Sequence, residues 1–142
     1  MGKTKAEGTT LTLTSKATTP VVSLIGSLSN IGEVAPSADE IEVTTLDSDG
    51  GYKEFLQGMK DAGEVPVSGY MDATTAKNQN KLITYFDTGE TVGAEIEFPD
   101  GTTVGFDCYI KAYTMGGAEI GGAVAFGATL RVTGKPTVTW AT

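Results

Sequence analysis

Val92-Gly93-Ala94-Glu95-Ile96-Glu97-Phe98-Pro99-Asp100-Gly101-Thr102-Thr103-Val104-Gly105-Phe106-Asp107-Cys108-Tyr109-Ile110 is the stretch that decides the fold. Val92, Ala94, Ile96 and Phe98 alternate with Gly93, Glu95 and Glu97, the period of a strand with one buried face. Pro99 and Gly101 then fall at the second and fourth positions of a four-residue turn, which suits type I geometry. The chain therefore reverses. The return strand places Val104, Phe106, Cys108, Ile110 and Ala112 inward, and Asp107, Tyr109, Lys111 and Tyr113 outward. This is an antiparallel hairpin, and it sets an all-β expectation.

The same reading extends in both directions. Gly116-Gly117 marks another reversal. A long strand follows, with Ala118, Ile120, Val124, Phe126, Ala128, Leu130 and Val132 on one face and the small residues Gly121, Ala123, Ala125 and Gly127 on the other. Upstream, strand patterns occur over residues 8–14, 21–25, 40–45 and 64–71. Pro66 restricts the last of these to an edge strand or a late start, because it cannot donate to a ladder. One helix interrupts the pattern over residues 73–87, with Asp72 or Thr74 as N-cap, Ala76, Ile83 and Phe86 near helical spacing with Leu82 beside them, and Gly89 as its stop. The expected fold is mainly β, an antiparallel sandwich or barrel with one flanking helix and a long acidic loop.

That loop is the anomaly. Residues 33–64 hold nine acids and two lysines, seven of the eight net negative charges of the 142-residue chain. Residues 46–63 carry Asp-Gly-Gly turn chemistry and little periodicity, so they read as a loop of about 18 residues, longer than a compact domain usually tolerates without a function. Yet Leu46, Tyr52, Phe55, Leu56 and Met59 lie in it. Large apolar side chains in a solvated loop call for a partner surface.

Composition excludes several functions. The chain has no histidine, so Ser-His-Asp and Cys-His catalysis and the commonest metal ligand are missing. Cys108 is the single cysteine and falls on an apolar strand face, the place of a small buried hydrophobe. Asp47-Ser48-Asp49-Gly50 lacks the remaining ligands of a calcium loop. Gly116, Gly117, Gly121 and Gly122 are flanked by strands, not by a strand and a helix, so they make no nucleotide fingerprint. Glu95, Glu97 and Asp107 share the outward side of neighbouring strands; without an aromatic pocket around them, they read as an acidic surface. Eighteen acids against ten basic residues disfavour tight nucleic-acid binding. No apolar run is long enough to cross a membrane, and the basic start Met1-Gly2-Lys3-Thr4-Lys5 has no apolar segment after it, so synthesis in a cytoplasm is expected. The expectation is a structural protein with no enzyme activity and no cofactor or metal.

Two stretches resemble the major tail tube proteins of long-tailed, non-contractile bacteriophages. One is Thr45-Leu46-Asp47-Ser48-Asp49-Gly50-Gly51-Tyr52, continuing through Gly58-Met59-Lys60-Asp61-Ala62-Gly63-Glu64 into Val67-Ser68-Gly69-Tyr70; the other is Glu97-Phe98-Pro99-Asp100-Gly101-Thr102 with the ending Val132-Thr133-Gly134-Lys135-Pro136. Their order and spacing carry the likeness over most of the chain. The resemblance implies a single tail-tube domain over residues 1–142, with a flexible N-terminal arm at 1–7 and no C-terminal immunoglobulin-like domain. It implies a homo-oligomer of stacked rings, typically hexameric, forming an acidic-lined channel through which DNA passes without tight binding. The 46–63 loop is then the inter-ring contact, through Leu46, Tyr52, Phe55, Leu56 and Met59, and Glu95, Glu97 and Asp107 face the lumen. The implied partners are the tape measure, tail terminator and tail-tip proteins, with no membrane, and the implied location is the virion tail, assembled in the host cytoplasm. Rival readings are a tube or ring subunit of a contractile injection or secretion system and a monomeric β-sandwich binding module. For such a module the lone Trp140 offers a thin aromatic platform.

Overall fold

The computed structural model describes residues 5–74, 77–117, 120 and 122–141. In chain order its strands are β1 (Thr10–Ser15), β2 (Val22–Ile25), β3 (Leu28–Ile31), β4 (Ser37–Glu42), β5 (Phe55–Asp61), β6 (Glu64–Tyr70), β7 (Val92–Glu97), β8 (Thr103–Gly116) and β9 (Ala125–Thr139), with the helix α1 (Gln79–Thr88) between β6 and β7. Seven strands make one antiparallel sheet in the order β2-β1-β7-β8-β9-β6-β3. The other two, β4 and β5, pair with each other.

The deciding hairpin forms as its sequence dictates. Val92 lies opposite Cys108 and Glu97 opposite Thr103. At the turn the Gly101 amide donates to the Phe98 carbonyl at 2.9 Å. Gly101 has φ 95°, a left-handed conformation that favours glycine. Val92, Ala94, Ile96, Val104, Phe106, Cys108 and Ile110 are all buried. Facing them are Leu11 and Leu13 of β1, Val65 and Val67 of β6, and Phe126, Ala128, Leu130 and Val132 of β9. Each such large side chain contributes about 1.5–3 kcal/mol by leaving water.

The two outermost strands, β2 and β3, are separated in sequence by Gly26 and Ser27 alone. Three Cα steps span about 11 Å at most, so the sheet has to curl until its edges meet. At the meeting point the backbones cross closely. A Cβ on Gly69 would lie 2.1 Å from the Ser27 carbonyl oxygen, so only glycine fits there. The Tyr70 amide donates to that same oxygen at 3.0 Å. Helix α1 covers the open side with Leu82 and Tyr85, both buried, and ends at Gly89 as expected, with φ 70° and its amide on the Tyr85 carbonyl.

Several expectations are corrected. Residues 46–63 are not one loop: Phe55–Asp61 is a strand, and with Ser37–Glu42 it makes a projecting ribbon. The helix begins at Gln79, not near 73, and its N-cap is Asn78 in the left-handed region. The Asp72 carboxylate instead accepts from the Thr74 amide and the Ser27 hydroxyl, each at 3.0 Å, in a turn ahead of the helix. The buried side of the helix is Gln79, Leu82 and Tyr85; Phe86 lies toward solvent and packs edge-on against Tyr113 at 5.2 Å. Ala112 is exposed, because a register shift between Ile110 and Ala112 breaks the alternation of β8. The last strand starts at Ala125, which leaves Ile120 fully exposed and Val124 outside it. Pro66 sits in β6, next to the edge. Its carbonyl accepts from Gly32, beyond the end of β3, so the missing donor falls where no ladder bond is required. Ala76, Ala118, Gly121 and residues 1–4 of the expected N-terminal arm lie outside the described residues. Of the rest of that arm, the Ala6 carbonyl accepts from the Thr9 amide and hydroxyl.

Candidate functional site

The ribbon of β4 and β5, called here the arm, is built from a sequence with few places to hide. Ile41 lies opposite Leu56, forming an apolar cross-strand pair. Phe55 lies opposite Glu42, one residue on, and so on the other face. A register shift at Asp39 follows; at the adjacent Gly58, a Cβ would come within 3.2 Å of Asp39. Apolar groups therefore appear on both faces. Ile41, Phe55 and Leu56 are about half exposed, Tyr52 and Met59 about four-fifths, and Leu46 completely. The sequence reading brought Phe55, Leu56, Met59, Tyr52 and Leu46 together as one contact; the fold divides them between two faces and a tip. It also adds Ile41, which the Glu40-Ile41-Glu42 alternation could have revealed as the partner of a second strand.

The tip is held by its own hydrogen bonds. The Val43 amide donates to the Glu54 carbonyl at 2.9 Å, and the Glu54 amide to the Thr44 hydroxyl at 2.9 Å. The Ser48 hydroxyl accepts from the Thr45 amide at 2.9 Å and donates to the Glu54 carboxylate at 3.0 Å. A tight turn at Asp49–Gly51 follows, with Gly50 in the left-handed region at φ 64°. Asp47 and Asp49 thus belong to an acidic turn, and no cluster of metal-ligating side chains is found among the described residues.

The second predicted surface is the outward side of the barrel. Glu95 lies between Thr12 and Gly105, Glu97 between Thr10 and Thr103, and Asp107 between Gly93 and Thr133. All three acids are exposed on this one side. Asp107 is not a bare charge: Lys16 pairs with it at 2.8 Å. Because Gly93 and Gly105 bring no side chains, the surface dips into an open depression of about 400 Å³ that Glu95, Asp107, Lys135 and threonines border. Lys135 is carried there by a register shift in which Gly105 pairs with Thr137 but Asp107 pairs with Thr133.

Cys108 is fully buried. Burial, with the Asp107 charge second, pushes its thiol up to about 12, so it stays a neutral, unreactive core residue.

At the arm's root the charges are paired. Arg131 of β9 reaches Asp61, the last residue of β5, at 2.9 Å. The other Asp61 oxygen accepts from the Gly63 amide at 2.8 Å. The Arg131 hydrogen bond first, and the Gly63 amide second, hold the Asp61 carboxyl below the usual carboxylate range. Nearby, Lys111 pairs with Glu64.

Comparison with known proteins agrees with this architecture. Residues 12–141 match the family model described as lambda phage tail tube protein. Among curated protein sequences, none matches this chain. Among solved structures, the tail of an empty gene transfer agent particle, refined with C6 symmetry, superposes with a TM-score of 0.70 at 21% identity, over 92% of this chain and 96% of that one. The tail tube of SPP1 superposes with a TM-score of 0.71 at 15% identity, over 96% and 78%. A sheath/tube terminator structure of an extracellular contractile injection system gives 0.70 at 8% identity, over 99% of each chain. At these identities the likeness establishes the shared fold.

Proposed function

The chain belongs to the lambda phage tail tube protein family, a structural component of the virion tail, and from that premise we propose that its copies stack as rings of six, with the arm as the joint between rings. The observation that carries this is the arm itself: among the described residues, a ribbon that pairs with no strand of the barrel and exposes Ile41, Leu46, Tyr52, Phe55, Leu56 and Met59. Two-faced exposure suits insertion between two surfaces of neighbouring subunits. Burying such side chains supplies the drive for association, and the open strand edges supply backbone pairing.

In the same reading Glu95, Glu97 and Asp107 line the lumen. A wall carrying the Glu95 and Glu97 carboxylates, with Asp107 offset by Lys16, would repel phosphate, so DNA would slide without sticking. The tape measure protein would occupy that channel before DNA, terminator and tip proteins would close its ends, and assembly would take place in the host cytoplasm. A second reading, the tube of a contractile injection system, is favoured by the full-length superposition on such a system's terminator; a sheath co-purifying with the tube would select it.

The test is electron microscopy of the purified chain over a concentration series, beside the Phe55→Ser/Leu56→Ser double variant. Each side chain exposes roughly 100 Å², worth about 2.5 kcal/mol on burial. The double variant is expected to remain a folded subunit and to form no tubes. Tubes at the wild-type threshold refute the arm as the joint, and a tube map with Glu95 and Glu97 on the exterior refutes the lumen assignment.

A further inference from the structure

The arm leaves the barrel through two short connections, residues 32–36 and 62–63. Val34 and Ala62 are tucked against the core, the Val132 amide holds the Gly63 carbonyl at 3.1 Å, and the Gly32 amide holds the Pro66 carbonyl. These contacts fix where the two connections start. None of them reaches residues 37–61, so none sets the angle at which the ribbon leaves. Among the described residues, a single ion pair joins the arm to the barrel, Arg131 to Asp61.

The pair is well placed for that task. Asp61 is the last ribbon residue, opposite Ser37. One carboxylate oxygen folds the root turn by accepting the Gly63 amide, and the other takes the guanidinium. Arg131 stands on β9 directly opposite Glu64, a carboxylate that would compete for it. Lys111, reaching across from β8, occupies Glu64. Arg131 is therefore left to the arm, and its side chain is two-thirds shielded from solvent.

We infer that the Arg131–Asp61 pair is a clasp that sets the angle of the arm against the barrel, which makes Arg131 a positioning residue for ring stacking. The inference rests on the reading of the arm as the joint between rings. Holding the arm at its working angle removes part of the ordering cost of association. Screening weakens the clasp, since the Debye length shrinks from about 8 Å at physiological ionic strength to about 3 Å at 1 M.

The experiment uses the full chain as wild type, Arg131→Met, Asp61→Asn, the double variant and Arg131→Lys. Asparagine keeps an acceptor for the Gly63 amide, so it removes the charge and spares the turn. Hydrogen exchange on the free subunit is expected to speed over residues 37–61 in both single variants and to stay unchanged in β8 and β9. The concentration threshold for tube assembly is expected to rise roughly two- to fivefold in each single variant, the size of coupling an exposed ion pair supports. It should rise no further in the double variant, and Arg131→Lys should recover part of it. Unchanged exchange in the arm overturns the clasp, and so do thresholds that multiply in the double variant. Failure of the parent reading looks different: Phe55→Ser/Leu56→Ser then assembles at the wild-type threshold. If that variant fails to assemble while Arg131→Met behaves as wild type, the joint stands and the clasp falls.

Discussion

Replacing Gln79 with methionine should cost about 3 kcal/mol of stability, although no feature of the sequence marks this residue. Gln79 is the first residue of α1 and 6% exposed. Its carbonyl accepts from the Asp72 amide at 2.9 Å, and its amide donates to the Gly26 carbonyl at 3.1 Å and the Tyr70 carbonyl at 2.9 Å. One side chain thus ties together the end of β6, the junction of the two edge strands and the start of the helix. Methionine fills nearly the same volume and makes none of these bonds. Three bonds at about 1 kcal/mol each give the estimate, and buried groups left without partners push it higher. Over 142 residues the unfolding entropy is about 0.3 kcal/mol/K, so the midpoint should drop by about 10 °C. Thermal unfolding followed by circular dichroism reads this directly, with urea unfolding as a check that the m-value is unchanged. Asn80→Ala, exposed on the next position, is the control. A loss below about 0.5 kcal/mol in Gln79→Met would refute the reasoning, since it would mean the barrel closes without the stitch.

Two further predictions concern the barrel. Gly69→Ala should cost at least about 3 kcal/mol by urea unfolding, because its Cβ would sit 2.1 Å from the Ser27 oxygen and 2.7 Å from the Leu28 Cα; Gly105→Ala, with its nearest neighbour at 3.9 Å, should stay within about 0.5 kcal/mol of wild type. Stability should fall in alkali because of Cys108. The unfolded thiol ionises near its ordinary value of 9.0, while the folded thiol holds its proton to about 12. Between those values the unfolded state binds fewer protons, so stability declines with rising pH at a slope approaching 1.4 kcal/mol per pH unit. Urea titrations from pH 8 to 11 should show the slope in wild type and a clearly smaller one in Cys108→Ala, where the buried Tyr85 hydroxyl, also pushed up by burial, still contributes.

The parts of the fold that were legible are those where one face meets a core. In β7 and β8 the alternation from Val92 to Ile110 names every buried residue, because a one-residue slip would turn the whole set to solvent. The signal ends at Ile110, where the register shift moves Ala112 outward. The signal is weakest in β5, whose ribbon has no buried face. Phe55 and Leu56 stand side by side and serve opposite sides, so no period of two survives, and the strand looks like a loop. The helix start was obscured by Asp72 and Thr74, whose turn satisfies one another before the helix begins. Within the candidate site, the apolar residues of the arm were legible as a mismatch between content and expected exposure. The clasp was not, since Asp61 and Arg131 stand 70 positions apart and only the β6–β9 pairing brings them together.

In the proposed assembly, the distribution of charge would let one chain serve as both wall and joint. Outside residues 33–64 the sequence holds nine acids against eight basic residues, so the barrel is nearly neutral and its packing is not opposed by self-repulsion. The excess resides on the arm and its root, where Asp39, Glu40, Glu42, Asp47, Asp49 and Glu54 surround the exposed apolar groups. In the proposed assembly those carboxylates would keep free arms apart in dilute solution, because like charges at close range raise the cost of encounter. They also keep an edge-bearing, apolar ribbon from pairing with any strand it meets, the usual hazard of an open edge. Association then has to bury enough apolar surface at once to overcome that repulsion. A surface offering Phe55 on one face and the Ile41–Leu56 pair on the other would meet the condition only where both faces are covered together, so the proposed stacking would favour a ring over a chance collision between two subunits.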